Sequence, residues 1–382
     1  MQVRIPFAFM RGGTSRAAFF MEEVLPTDPD IRDKVILASF GSPDPYGRQI
    51  DGIGGAVSST SKVAIINKSR IPDTDINYRF GQVSVTSPVI NYKGNCGNIS
   101  AAVGPFAVEE SMIHAKEPIT TIRIWQENTK KIIIAEVPVK DGRHLTEGDY
   151  CIDGIPGTGA KVTLRFLEPG GAVTNKLLPT GNVKDFIKTR EYGTFTVSII
   201  DAANPVVFVR ADELRLNGIE TELNSNPEAL RKLETIRSHA AVLMGVASSP
   251  EKATPNLPFV AFVSKPREYK ALNKKVVNVK EINFVARMLS MGSLHGAFPG
   301  TGAICVAGAA KIDGTVVNEV MDETGLGRDE VRIGHPSGLI IVKAIIEKDQ
   351  SGFHYVEGAI GRTARRLAEG FVLVPERVFS KE

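Results

Sequence analysis

Apolar positions along this chain fall into short β-branched runs that glycine and proline separate. Residues 63–66, 132–137, 194–200, 206–209 and 339–342 are among them and predict strands. Stretches with the three-to-four-residue spacing of a helix are fewer: 98–110, 227–244, 279–289, 301–310 and 363–369. Because strands outnumber helices, the pattern predicts an α/β (α+β) protein with much mixed sheet.

The pattern also repeats weakly. Asn95-Cys-Gly-Asn-Ile-Ser-Ala-Ala-Val-Gly104 passes from a turn into a helix in the first half, and Phe298-Pro-Gly-Thr-Gly-Ala-Ile-Cys-Val-Ala307 does so in the second. Each half also has an early strand broken by small residues, Phe9-Met-Arg-Gly-Gly-Thr-Ser-Arg-Ala-Ala-Phe-Phe20 and Ile200-Asp-Ala-Ala-Asn-Pro-Val-Val-Phe-Val209. This predicts a duplicated domain with its boundary within 185–192. The expected parts are 1–187, 188–360 and a C-terminal segment, 361–382, crossing back to the first domain. No low-complexity linker intervenes, so the halves are expected to pack across a cleft.

Composition narrows the function. A chain of 382 residues is long enough for two such domains with cores of their own. Lys+Arg 46 against Asp+Glu 43 gives a formal charge of +3, and Trp125 is the sole tryptophan, so nucleic-acid binding is not expected. The three cysteines, Cys96, Cys151 and Cys305, cannot all pair, which excludes a disulfide scaffold and favours a cytoplasmic setting. No pair of cysteines or histidines has metal-ligand spacing, and no metal is expected. Apolar runs such as 303–310 are too short to span a bilayer, and the N-terminus lacks a signal-peptide core, so no membrane association is expected.

Chemistry concentrates at the turns. A helix N-terminus offers unpaired N–H groups and a partial positive charge, and Gly94, Gly97, Gly300 and Gly302 would let an anion approach the two helix openings. Two such helices at one cleft would hold carboxylates; the ordinary alternative is that these glycines only make tight turns. Cys96 sits where a helix start favours its thiolate, whereas Cys151 and Cys305 read as small apolar residues. Lys62 stands at the lip of an apolar strand, where partial burial would make it a base. Arg11-Gly-Gly-Thr-Ser15 offers a guanidinium, free backbone and two hydroxyls, a set suited to a carboxylate. His295 and Arg287 would add donors, and Arg332-Ile-Gly-His-Pro-Ser-Gly338 is a further polar turn. Gly154-Ile-Pro-Gly-Thr-Gly-Ala-Lys161 misses the phosphate-loop pattern, and no nucleotide cofactor is indicated.

Taken together, Met10-Arg-Gly-Gly-Thr-Ser15, Ser61-Lys62, Gly94-Asn-Cys-Gly-Asn98, Leu177-Leu-Pro-Thr-Gly181, His295-Gly-Ala-Phe-Pro-Gly-Thr-Gly-Ala303 and Gly334-His-Pro-Ser-Gly338 resemble the PrpF family over nearly the whole chain. The resemblance implies the fold of diaminopimelate epimerase: two pseudo-symmetric domains, each a mixed sheet wrapped about a central helix. Asn204-Pro205 resembles the turn that opens the epimerase's second domain, and Cys96-Gly-Asn its first catalytic cysteine. At the place of the second catalytic cysteine stands Pro299, so a symmetric two-thiol racemisation is not expected. The resemblance points to Lys62 and Cys96 as the catalytic pair, in either assignment of base and acid. It points to Arg11, Gly13, Thr14, Ser15, Ser61, Asn95, Gly97, Asn98, His295, Gly300, Thr301 and Gly302 as substrate-binding.

The implied activity is a cofactor-independent isomerisation. An allylic proton would leave a small unsaturated di- or tricarboxylate and return elsewhere, as with 3-methylitaconate/2,3-dimethylmaleate or 2-methylaconitate. Alternatives are a 4-oxalomesaconate tautomerase and a non-catalytic accessory protein to an aconitase-like enzyme. Retention of both Lys62 and Cys96 speaks against the last. The segment 151–181 is expected to help select the acid, and the family analogy allows a homodimer or homotetramer.

Overall fold

The computed structural model describes residues 1–255 and 257–380. In chain order the first elements are β1 (Gln2–Gly12), β2 (Ser15–Met21), α1 (Pro29–Phe40), β3 (Lys62–Lys68), β4 (Ile76–Val83), β5 (Ile90–Asn91), α2 (Gly97–Glu109), β6 (Ile119–Gln126), β7 (Lys131–Lys140), β8 (Arg143–His144) and β9 (Val162–Leu167). There follow β10 (Asp185–Thr189), β11 (Gly193–Ala202), β12 (Asn204–Arg210), α3 (Pro227–Leu243), β13 (Phe259–Ser264), β14 (Tyr269–Lys270), β15 (Val276–Val277), β16 (Phe284–Ser290), β17 (Ser293–Leu294), α4 (Gly300–Lys311), β18 (Glu330–His335), β19 (Gly338–Asp349), β20 (Gly352–Arg362) and β21 (Ala364–Pro375).

The chain divides into two units. The first holds Met1–Cys151, Gly157–Leu164 and the residues from Arg362 on; the second holds Ile152–Pro156 and Arg165–Gly361. This division departs from the expected 187/188 boundary. The strand β10 pairs in antiparallel register with β11, from Asp185↔Val197 to Thr189↔Gly193, and so belongs to the second unit. The C-terminal strand β21 runs antiparallel to β1 from Gln2↔Pro375 to Gly12↔Ala364.

In the first unit β1–β2 is antiparallel, β2–β3 parallel, β3–β4 antiparallel, β4–β6 parallel and β6–β7 antiparallel. The second unit repeats that series as β11–β12, β12–β13, β13–β16, β16–β18 and β18–β19, with the same alternation of sense. The helices α1 and α3 occupy matching places in the two series, as do α2 and α4. The weak sequence echo is therefore a complete duplication of topology.

Alternation along β3 positions the site. Val63 and Ile65 pack with Val35, Ile36 and Phe40 of α1 in one apolar cluster. The period of two therefore turns Lys62, Ala64 and Ile66 to the opposite face. There, α2 is buried from Gly97 to Val108, and only Glu109 at its end is partly exposed. In the second unit α4 is buried from Gly300 to Ala310. Apolar helices buried all round are what a sheet wrapped about a helix requires.

Three expected helices form with bounds one residue or so away: α2, α3 and α4. Two do not. Residues 279–289 give a short turn, Val279–Glu281, and then β16, which lies between β13 and β18. With both faces buried, this strand reads as a continuous apolar run that periodicity cannot separate from a buried helix. Residues 363–369 lie largely in β21, where pairing with β1 overrides local helix preference. Among the described residues, no helix is long and apolar enough to cross a membrane.

Candidate functional site

Lys62 opens β3 directly opposite Gln82 of β4. Side chains opposed in an antiparallel pair lie on one face, and Lys62 Nζ donates to Gln82 Oε1 at 2.5 Å. The ammonium also stands 5.3 Å from the centroid of the Phe80 ring. Lys62 is only 8% exposed. Burial pushes its pKa below the ordinary 10.5, while Cys96 nearby favours the charged form and opposes the shift. Ser61, fully buried, donates to Gln49 Oε1 at 2.7 Å and thereby fastens the preceding loop.

Cys96 is the N-cap of α2, half-buried and unbridged. Asn95 Oδ1 accepts from its N–H at 2.6 Å, and its carbonyl accepts from Ser100 N at 2.9 Å and Ser100 Oγ at 3.1 Å. The Cys96 side chain makes no capping hydrogen bond to α2, whose N-terminal end carries the positive end of the helix dipole. Cys305, in contrast, is buried in α4, donates to Ile200 O at 3.4 Å, and is pushed up by desolvation; Cys151 is exposed.

The turn between β1 and β2 reaches the same helix end. Gly13 has φ +49°, and a Cβ there would lie 2.3 Å from Asn98 Oδ1, so only glycine fits. Asn98 Nδ2 donates to Thr14 Oγ1 at 3.0 Å, and Asn98 Oδ1 accepts from Arg362 Nε at 3.1 Å. Arg362 is buried, and desolvation draws it down to about 10 against the influence of Tyr150 and Cys96. Thr14, Asn98, Arg362 and Cys96 thus meet where α2 begins. Ser15 is buried in the same turn. Arg11 also braces this turn. Its NH1 group donates to Gly13 O at 3.1 Å and to Thr363 O and Oγ1, each at 3.0 Å, and so ties the turn to the start of β21.

Two site residues were not found from sequence. Gln82 carried no local signal, since its partner lies 20 positions away. Arg362 fell beside the mistaken helix at 363–369. A third neighbour, Tyr78, is wholly buried on β4; burial and nearby Cys96 raise its pKa, and Ser100 opposes the shift.

In the second unit, Asn204 Nδ2 donates to Thr301 Oγ1 at 2.9 Å, joining the Asn-Pro start of β12 to the first turn of α4. Pro299 is the N-cap, followed by Gly300 and Gly302 in the buried helix. His295 Nδ1 accepts from Ala297 N at 3.1 Å, which puts the proton of a neutral ring on Nε2. Arg287 is fully buried, donates to Glu220 O at 2.8 Å and Ala286 O at 3.0 Å, and lies 4.9 Å from the Tyr269 ring centroid. Tyr269 Oη donates to His335 O at 2.8 Å and Gly338 O at 2.5 Å. Arg287 and Tyr269 therefore brace the Gly334–Gly338 turn.

A groove of about 830 Å³ exists elsewhere in the first unit, lined by Glu22, Ile66, Asn67, Lys68, Glu110 and Glu127 among others. It lies at the end of β3 remote from Lys62 and contains none of the residues above.

Comparisons with known proteins give the family and the fold. The model of the PrpF protein family matches residues 2–375. The chain is 45% identical over 379 residues to 3-methylitaconate isomerase of Eubacterium barkeri, covering 98% of both chains. It is 39% identical over 390 residues to 2-methyl-aconitate isomerase of Shewanella oneidensis, again covering 98% of both. A crystal structure of methylitaconate-delta-isomerase superposes with TM-score 0.81 at 44% identity, covering all of this chain and 98% of the other. A hydroxyproline epimerase from Agrobacterium vitis shares the fold at TM-score 0.57 and 12% identity, covering 98% of this chain and 94% of that one. The epimerase-like duplication is thus shown by structure, and the end-to-end match in sequence assigns the chain to the PrpF family.

Proposed function

We propose that this chain is a cofactor-independent isomerase that moves a double bond in a small unsaturated di- or tricarboxylate. The substrates proposed are 3-methylitaconate/2,3-dimethylmaleate or 2-methylaconitate, the compounds for which its relatives are named. The observation that carries the proposal is the pair in the first unit: a buried lysine without a carboxylate partner among the described residues, close to a cysteine at the N-cap of a buried helix.

In the proposed reaction Lys62, as the free amine, takes the allylic proton of the bound acid. The electron pair passes into a dienolate-like anion, which is stabilised by the dipoles at the start of α2 and by Arg362 beside them. Cys96 returns a proton at the other allylic carbon, or at the same carbon after bond rotation, and the Lys62 proton then passes, directly or through solvent, to the Cys96 thiolate, which restores both groups. Thr14, Ser15, Asn95 and Asn98 are proposed to orient the acid beside this pair. The segment 151–181 is proposed to discriminate between acids.

The test follows deuterium entry and product formation by NMR in D₂O. The purified chain receives methylitaconate, 2-methylaconitate or oxalomesaconate. Isomerisation of one acid, lowered about 10²–10⁴-fold in Lys62→Ala as expected for loss of a general base, supports the proposal and names the substrate. Cys96→Ala separates the two roles: exchange without product makes Lys62 the base and Cys96 the donor. Full activity in Lys62→Ala would remove the assignment, and turnover of oxalomesaconate alone would replace the substrate class.

A further inference from the structure

We infer that Gln82 is a positioning residue for Lys62, a neutral acceptor that keeps Nζ aligned in both its protonated and its free form. The inference rests on the proposed role of Lys62 as the proton-transfer group.

The orientation of the Gln82 amide is set by its other end. Nε2 donates to Ser61 O at 2.9 Å and Ser58 O at 3.2 Å. A flipped amide would turn its oxygen toward two carbonyl oxygens, losing both of those hydrogen bonds, and would face an ammonium with an NH₂ that it cannot accept from. Oε1 therefore points at Lys62, where the 2.5 Å contact is found. The anchor is itself held. Ser61 Oγ donates to Gln49 Oε1, which also accepts from Ala56 N at 2.8 Å, while Gln49 Nε2 donates to Ser42 Oγ at 2.8 Å. The register Lys62↔Gln82 and this fastened loop fix the acceptor side chain at its root and at its amide.

The residue type matters as much as the geometry. Ammonium and free amine both carry N–H groups, so an amide oxygen can accept from either. A carboxylate at the same place would bind the ammonium far better than the amine and would hold the lysine protonated. The other groups around Lys62 do not supply such a charge. Among the described residues, those shown beside it are the Phe80 ring on β4 and Cys96 from α2. A thiolate at Cys96 is the one anion that favours the ammonium, and its effect is smaller than that of burial.

The test compares Gln82→Glu and Gln82→Met with the wild-type chain, with thermal unfolding as a check of folding. Two readouts are taken across pH: kcat/KM for isomerisation, and the rate at which acetic anhydride labels Lys62, read by peptide mass spectrometry. Gln82→Glu is expected to move the ascending limb and the labelling inflection together to higher pH, by about 1–3 units for an adjacent opposite charge. Gln82→Met is expected to lower kcat about tenfold or more with KM little changed. A folded Gln82→Glu protein with the wild-type labelling inflection overturns the inference, as does a folded Gln82→Met protein with wild-type kcat. A shifted labelling inflection in a chain that isomerises none of the acids upholds the Gln82–Lys62 coupling and removes the proposed reaction instead.

Discussion

Replacing Asn98 with alanine removes one side chain that joins three pieces of the first unit. Its amide accepts from Arg362 Nε at 3.1 Å and donates to Thr14 Oγ1 at 3.0 Å. The first bond involves a buried charged group and is worth about 1.5–3 kcal/mol; the second is neutral and worth about 1 kcal/mol. Alanine is the better helix former by about 0.5 kcal/mol, which offsets part of the loss. The expected destabilisation is therefore about 2–3.5 kcal/mol. Water cannot fully replace the lost acceptor, because Arg362 is 5% exposed. Trp125 lies on β6 of the first unit and is the sole tryptophan, so its fluorescence during urea unfolding reports on that unit alone. A fall in the urea midpoint with unchanged slope, equivalent to at least 2 kcal/mol, is the expected result. A loss under about 0.5 kcal/mol would refute the reasoning, since neither bond could then contribute as its burial and geometry demand.

Three further outcomes follow from the geometry. Burial lowers the Lys62 pKa, so a lysine acting as free base should give a kcat/KM that rises with pH and inflects below 10.5; an inflection at 10.5 or above would count against it. The side chain of His144 is wholly buried, and desolvation, with Arg11 adding to it, draws its pKa down to about 4 from 6.5. Folding therefore favours the neutral ring: its stability is complete above pH 6.5 and falls by about 3 kcal/mol as pH drops toward 4, and His144→Leu should flatten the Trp125 urea midpoint over that range. At Gly308 of α4 a Cβ would stand 2.3 Å from the Tyr355 ring, so Gly308→Val should lower the calorimetric transition by overpacking worth about 1–3 kcal/mol or more.

The sequence made some of these features visible because they are local. The starts of α2 and α4 announce themselves in glycine-rich turns ahead of apolar helical runs, and Lys62 and Cys96 are chemically out of place within such surroundings. Helix α1 was missed although Asp28 caps it through Asp30 N and Ile31 N and Gly41 ends it at φ +68°. Its buried residues, Val35, Ile36, Leu37, Ser39 and Phe40, crowd into the second half and leave no clean stripe across the whole helix. What register and chain return create was not legible at all. Gln82 meets Lys62 only because β3 and β4 pair in that register, and Arg362 reaches Asn98 across 264 positions. Arg11 adds a role that the sequence did not show: its NH1 group is tied to Thr363, 352 positions away.

The duplication makes the chemistry uneven in an informative way. Both units run through the same series of parallel and antiparallel pairings and both bury a helix that begins at a glycine. The N-cap is Cys96 in one helix and Pro299 in the other. The strand that opens with Lys62 in the first unit opens with Phe259 in the second. Proline and phenylalanine can neither donate nor accept a proton in this chemistry, so matching positions in the second unit hold no acid–base pair. What the second unit keeps at its helix start is the Asn204–Thr301 hydrogen bond and glycine backbone, which can bind but not titrate. A fold that could carry two equivalent thiols has instead a lysine and a thiol together on one unit. In the proposed reaction, removal and return of the proton are therefore both assigned to the first unit.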